Sequence, residues 1–348
     1  MTRGLSETST RLESFIADLM PHWPLVGGAV SLVNPNGDVE AFGFGEADRE
    51  GGVPATPDHL FQIGSISKTF LSLLVHQLAA EGVMNFDEPI SEILPWIDLG
   101  ADGTSVSVAH LLSHTSGLIL GGDGVPDDTA QLAALSKDSR SAAAFGRFHY
   151  SNIGYMLVGK AVEARTDQSL ALAMEERLIR PLGMSNTRAE VIQRDRARMA
   201  IGYWPERDDI PWHPGDTLVR SPWFAIYSAD GNVASSARDM ATFVQVLLGQ
   251  NPGASASFIP PNTIDLMTRG DSGSGEDIVA LRDGLPVTRS RYGLGVNVES
   301  IGGATCLTHG GGMVGFQSFF IADRTSGFGI AVLTNANGCF PVAQVIAR

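Results

Sequence analysis

A serine stands three residues before a lysine in FQIGSISKTF, residues 61–70, where an apolar helical pattern begins. On a helix, Ser65 and Lys68 would share a face one turn apart. A serine hydroxyl is a poor nucleophile until a base takes its proton, and a lysine is a base only as the free amine. Burial and the positive end of a helix dipole both favour the free amine, and the first turn of an apolar helix supplies both. The backbone N–H of Ser65 would then be near a developing oxyanion. The competing reading is a serine cap followed by a solvated lysine. Ser-x-x-Lys is a common pattern, but the chain has three lysines, Lys68, Lys137 and Lys160, and Lys68 alone has a serine three places before it.

Two further stretches carry reactive or substrate-touching groups. In HYSNIGY, Tyr150 offers a phenol that can relay a proton beside a cation, and Asn152 offers a donor and an acceptor for a substrate amide or carbonyl. The same residues also read as a helix start capped by Ser151 or Asn152. In LTHGGGMVGF, His309 ends a strand and is followed by three glycines, which let a substrate backbone lie close to the strand edge, or simply make a turn. Gly310, Gly312 and Gly315 formally fit a dinucleotide fingerprint, but a strand pattern follows them and no βαβ unit is in sight. His110 and His114 are four apart, yet Leu111 stands where a zinc protease needs its glutamate, so both read as structural. There is no P-loop and no Gly-x-Ser-x-Gly elbow. No cofactor or metal is expected.

The elements that must position these groups show in the pattern of apolar residues. Leu12, Phe15, Ile16 and Leu19 predict an amphipathic first helix over 7–20. Two strand-like runs flank Asn36-Gly37, a strong hairpin signal. A helix of about 17 residues runs from Ser65 to a cap at Gly82. Residues 85–200 are mostly helix and loop, 203–235 are irregular and rich in Trp and Pro, and SSARDMATFVQVLLG is a helix capped by Ser235 or Ser236. Residues 251–288 are loop-rich, with DSGSGED the most flexible in composition. Four strands close the chain, and PVAQVIAR reads as the beginning of a helix, so part of a covering helix is expected to be missing. Strands at both ends with helices between predict an α+β fold: one antiparallel sheet from both termini, with a mostly helical region inserted.

The 348 residues suffice for one large domain or two closely packed ones. With 43% hydrophobic and 18% charged residues and a net charge of −14, the composition fits a soluble globular protein and disfavours nucleic acid or anionic membrane as a partner. No signal peptide or membrane span is visible, so the default compartment is the cytoplasm. A trimmed export signal would look the same. Cys306 and Cys339 have no zinc spacing; they read as packed hydrophobes, with one disulfide open to them.

Taken together, Ser65-x-x-Lys68, Tyr150-x-Asn152 and His309-x-Gly311 resemble the serine hydrolases related to class C β-lactamases and penicillin-binding proteins, a group that includes D-aminopeptidases and β-lactamase-like esterases. HLLSHTSGL and SSARDMATF are similar to this family too, so the resemblance covers about residues 10–340. It implies a β-lactamase/transpeptidase-like fold, with an α/β domain from 1–80 and 285–348, a helical domain from 81–284, and the site between them. It implies Ser65 as the acylated nucleophile, with Lys68 and Tyr150 sharing the proton transfer. Asn152 would touch the acyl group, the strand of His309 and Gly311 would line the cleft, and Gly312 would supply a second oxyanion N–H. β-Lactamases of this group usually carry Lys-Thr-Gly where this chain has His309-Gly310-Gly311. A mostly neutral histidine and a residue without a hydroxyl imply weak β-lactam turnover. Small esters are then the first expectation, D-amino-acid amides or peptides the second and β-lactams the third. A penicillin-binding sensor that does not turn over, and an acyltransferase, are the rivals. The partner is a small molecule, and the oligomeric state stays open.

Overall fold

The first and last parts of the chain meet in the middle of one sheet. The structure is a computed structural model that describes residues 4–99, 105–118, 128–207, 209, 213, 216–250, 259–260, 262–270, 272–275, 285–337 and 341–348. Its strands are β1 (Gly27–Val33), β2 (Val39–Asp48), β3 (Val53–Pro54), β4 (Phe61–Gln62), β5 (Thr187–Arg188), β6 (Tyr203–Pro205), β7 (Leu218–Arg220), β8 (Ala234–Ser235), β9 (Val287–Tyr292), β10 (Asn297–Ile301), β11 (Ala304–Met313), β12 (Phe316–Asp323) and β13 (Gly329–Thr334). Eight of them form a sheet in the order β3-β2-β1-β13-β12-β11-β10-β9. Its strand pairs are antiparallel, and Val30 of β1 lies opposite Val332 of β13. The β1–β2 hairpin turns where Asn36-Gly37 predicts it: Gly37, at φ +82°, donates its N–H to Asn34 O at 2.9 Å.

The helices are α1 (Leu5–Leu19), α2 (Ser67–Ala80), α3 (Ile90–Ile93), α4 (Val108–Leu112), α5 (Asp128–Ala133), α6 (Asn152–Thr166), α7 (Leu170–Met174), α8 (Ala237–Leu247), α9 (Thr263–Met267) and α10 (Val342–Ala347). On one sheet face, Ile16 of α1 and Val342 and Ile346 of α10 pack with Val30 and Val332. Phe15, which the helical pattern groups with Ile16, is 45% exposed. On the other face lies α8, capped by Ser236, whose Oγ accepts from Asp239 N–H at 3.2 Å. It lies within 81–284 in sequence but against the sheet in space, with Phe243 stacked on Phe70 of α2 at 4.0 Å and edge-on to Phe320 of β12 at 5.8 Å. Burying each such ring contributes about 1.5–3 kcal/mol.

Helix α2 is buried on nearly every side, as an all-round apolar helix must be. Its small hydroxyls fix it to its neighbours. Ser67 Oγ accepts from Val233 N–H at 3.0 Å, Thr69 Oγ1 donates to Gly295 O at 2.7 Å, and Ser72 Oγ donates to Leu294 O at 2.6 Å. Buried polar groups need such partners. Cys306 is a buried free thiol on β11, while Cys339 and most of 251–284 lie outside the described residues.

Candidate active site

Ser65 sits in a single 3-10 turn, Gly64–Ile66, that leads into α2. It is not a cap: Lys68 Nζ donates to Ser65 Oγ at 3.0 Å. The same amine donates to Asp230 O at 2.9 Å, and the Asp230 carboxylate is 4.0 Å away. The Lys68 side chain is wholly buried. Full burial costs an ammonium its hydration, and the Asp230 carboxylate offsets part of that cost. Nζ also lies 5.0 Å from the ring centre of Tyr150 and 5.6 Å from that of Tyr155. Tyr155 is fixed by its O–H, which donates to Leu112 O at 2.6 Å.

The capping expectation for HYSNIGY falls on Ser151, whose Oγ accepts from Gly154 N–H at 3.2 Å and so opens α6. That leaves Tyr150 turned towards Lys68 and Asn152 on the cleft wall. His114 braces this turn. Its Nδ1 accepts from Ser151 N–H at 3.0 Å, and its ring lies 4.3 Å from that of Tyr150. Burial, with Lys68 and His309 nearby, holds His114 well below the usual histidine range, so the neutral ring carries its proton on Nε2. His114 has φ +57°, a backbone region rare for a side-chain-bearing residue. His110 is structural in another way, because its Nδ1 accepts from Ser107 N–H at 3.1 Å at the start of α4.

His309 and the glycines lie inside β11 rather than after it. Alternation puts His309 and Gly311 on one face and Gly310 and Gly312 on the other. On the first face the strand comes so close to the Ser65 turn that a Cβ on Gly311 would be 1.9 Å from Ile63 O. The same carbonyl accepts from Ser318 Oγ at 2.8 Å. The close approach that glycine permits here is therefore to the chain itself. Gly64, at φ +50°, is also close to the strand: a Cβ there would lie 2.8 Å from Gly312 N. The imidazole of His309 is fully buried, with Nε2 2.7 Å from Tyr292 Oη and Nδ1 2.6 Å from Gly310 O. It stands behind the cleft, not on its wall.

Ser65, Asn152 and Gly312 open onto one cleft of about 790 Å³, which Trp204, Trp223, Phe224, Ile226 and Met313 also line. Asp230, Asn337 and Arg196 line it as well, and none of them follows from sequence spacing. Asp230 falls in the irregular stretch 203–235, and nothing local shows that its carbonyl meets Lys68. Asn337 Nδ2 donates to Met313 O at 2.6 Å and steadies the end of β11. Among the described residues, no three His, Cys, Asp or Glu side chains gather as a metal ion requires, and no helix is long and apolar enough to cross a membrane.

A family description named Beta-lactamase matches residues 13–346. The chain belongs to the beta-lactamase family. It is therefore a serine hydrolase with a β-lactamase/transpeptidase-like fold. It is 28% identical over 322 residues to penicillin-binding protein 4 of Amycolatopsis lactamdurans, covering 89% of this chain and 81% of that one. It is 31% identical over 229 residues to esterase EstB of Burkholderia gladioli, covering 60% of this chain and 55% of that one. Among solved structures, the octameric penicillin-binding protein homologue of Pyrococcus abyssi matches with a TM-score of 0.79 at 26% identity, over 97% of this chain and 75% of that one. A D-amino acid amidase from Ochrobactrum anthropi SV3 matches with a TM-score of 0.79 at 22% identity, over 97% and 95%, a likeness of fold.

Proposed function

We propose that the protein hydrolyses small carboxylic esters through an acyl-enzyme on Ser65. The observation that carries this reading is the buried amine of Lys68, 3.0 Å from Ser65 Oγ at the floor of an open cleft. As the free amine, Lys68 takes the hydroxyl proton while Oγ attacks the ester carbonyl. The backbone N–H groups of Ser65 and Gly312 receive the developing oxyanion. Tyr150, beside the ammonium so formed, shares the return of the proton to the leaving alcohol. Asn152 contacts the acyl group. Water then attacks the acyl-enzyme, and the same groups serve in reverse.

The ester reading is favoured over β-lactam turnover by the chemistry of β11. His309 is enclosed behind the cleft and does not reach a drug carboxylate, and Gly310 has no hydroxyl. The test is hydrolysis of a chromogenic short-chain ester, joined to intact mass measurement after exposure to a penicillin. Rapid ester turnover with no lasting penicillin adduct is expected. Ser65→Ala abolishes turnover, and Lys68→Ala lowers kcat by a factor on the order of 10² or more. Ester hydrolysis that survives in Ser65→Ala removes the nucleophile and the proposal with it. A stable penicillin adduct without ester turnover points instead to a sensor.

A further inference from the structure

The cleft is larger than an acetyl or butanoyl group needs, and its far wall is chemically uneven. Trp223 and Phe224 come from the Trp- and Pro-rich stretch 203–235, and Phe224 leaves 42% of its surface exposed. An apolar group that covers such a surface gains by removing it from water. Among the described residues, three charged side chains line the cleft: Arg196, Arg220 and Asp230. Two are compensated. Arg220 Nε donates to Glu50 at 2.7 Å and its Nη2 contacts Asp48, while Asp230 faces Lys68. Arg196 meets no carboxylate at ion-pair distance among the described residues. Its guanidinium carbon stands 5.8 Å from the ring centre of Trp223, within cation–π range. One cleft thus holds a nucleophile, an aromatic wall and, among the described residues, a single uncompensated cation beside that wall.

A guanidinium takes a carboxylate through paired N–H donors, and an indole face takes a flat ring. We propose that the cleft selects acyl donors whose acyl group is aryl or arylalkyl and ends in a carboxylate, with the ring on Trp223 and Phe224 and the carboxylate on Arg196. The inference rests on acylation of Ser65 and names the substrate class for it. The chain carries a net charge of −14, so its overall field repels an anionic substrate. Attraction to Arg196 must therefore be local, and because Arg196 is exposed it must weaken with salt.

The experiment uses three nitrophenyl esters, of acetic acid, phenylacetic acid and 4-carboxyphenylacetic acid, each read as kcat/KM. The wild type is expected to prefer the phenylacetyl ester to the acetyl ester, and the carboxylated ester to the neutral phenylacetyl ester, each step on the order of tenfold. Trp223→Ala collapses the first ratio. Arg196→Met, which keeps the length of the side chain, collapses the second, and 0.5 M salt shrinks the second ratio in the wild type. Because each comparison is a ratio within one enzyme, a general loss of activity does not mimic the result. A carboxylated ester no better than the neutral one, or a second ratio unchanged in Arg196→Met, overturns the substrate class while acetyl turnover still supports the Ser65 reading. Turnover of none of the three esters, or turnover that persists in Ser65→Ala, overturns both.

Discussion

His76 and His114 are buried imidazoles with small, well-defined duties. His76, on α2, lies 2.8 Å by Nδ1 from Ser72 O and packs on Phe86 at 4.6 Å. Burial pushes its pKa down to about 4 and holds that of His114 well below 6.5. In the unfolded chain both take up protons near pH 6.5, while the native protein refuses them. Their contribution to stability is therefore full above pH 6.5 and is lost as pH falls towards 4. Burial raises the carboxyls of Asp128 and Asp239, and these act in the opposite direction, so the total curve mixes both effects. His76→Phe isolates one imidazole. Chemical denaturation of the variant between pH 7 and 4.5 is expected to show a shallower fall than the wild type, by up to about 1.4 kcal/mol per pH unit. Equal slopes would mean that His76 is protonated alike in both states.

At the scale of elements, the junction of β11 with the Ser65 turn decides whether the site exists. A methyl on Gly311 would meet Ile63 O at 1.9 Å, whereas one on Gly310 would meet nothing nearer than the Phe319 ring, at 3.4 Å. Gly311→Ala must therefore push β11 away from the turn, or the turn away from Ser65, since a backbone carbonyl cannot yield. Ester kcat/KM is expected to fall at least on the order of 10²-fold in Gly311→Ala and to stay within about threefold in Gly310→Ala. Similar losses in both variants would refute this account of the strand. The same junction explains what could be read in the sequence. Ser65 with Lys68, and Tyr150 with Asn152, are local pairs, so spacing alone suggests that the members of each pair lie close together. The hairpin at Asn36-Gly37, the stop of α2 at the left-handed Gly82 (φ +74°, just past the capping Glu81) and the cap at Ser236 are legible for the same reason. Asp230, Arg196 and Trp223 reach the cleft only through tertiary packing, and no spacing encodes that. His309 sat in the right strand, but which way it points depends on the register of β11 against its neighbours. That register turns the imidazole towards Tyr292.

Across the whole molecule, we propose a division in which 1–80, 285–348 and α8 lie around the sheet, the rest of 81–284 forms a second part of short helices and loops about α6, and the site lies between them. The packing binds these parts closely. One continuous apolar core joins Ala29, Phe320 and Leu333 of the sheet to Phe70 and Leu74 of α2 and to Leu157 and Val162 of α6. Helix α2 serves both parts at once, and it carries Lys68. The sheet part has a second, smaller core under α1 and α10, but most of the buried apolar side chains belong to the shared core, so unfolding should be a single cooperative step. The pairing of β1 with β13 closes a loop of nearly the whole chain, which makes folding slow for its size. Calorimetry is expected to give one transition, with calorimetric and van't Hoff enthalpies in a ratio near one. Tryptophan fluorescence, which includes the cleft-wall residues Trp204 and Trp223, should follow the same midpoint as far-ultraviolet circular dichroism. Two separated transitions would show that the helical part melts alone. The buried Lys68 would then owe its position to the sheet side, through α2, and the cleft would open before the sheet does.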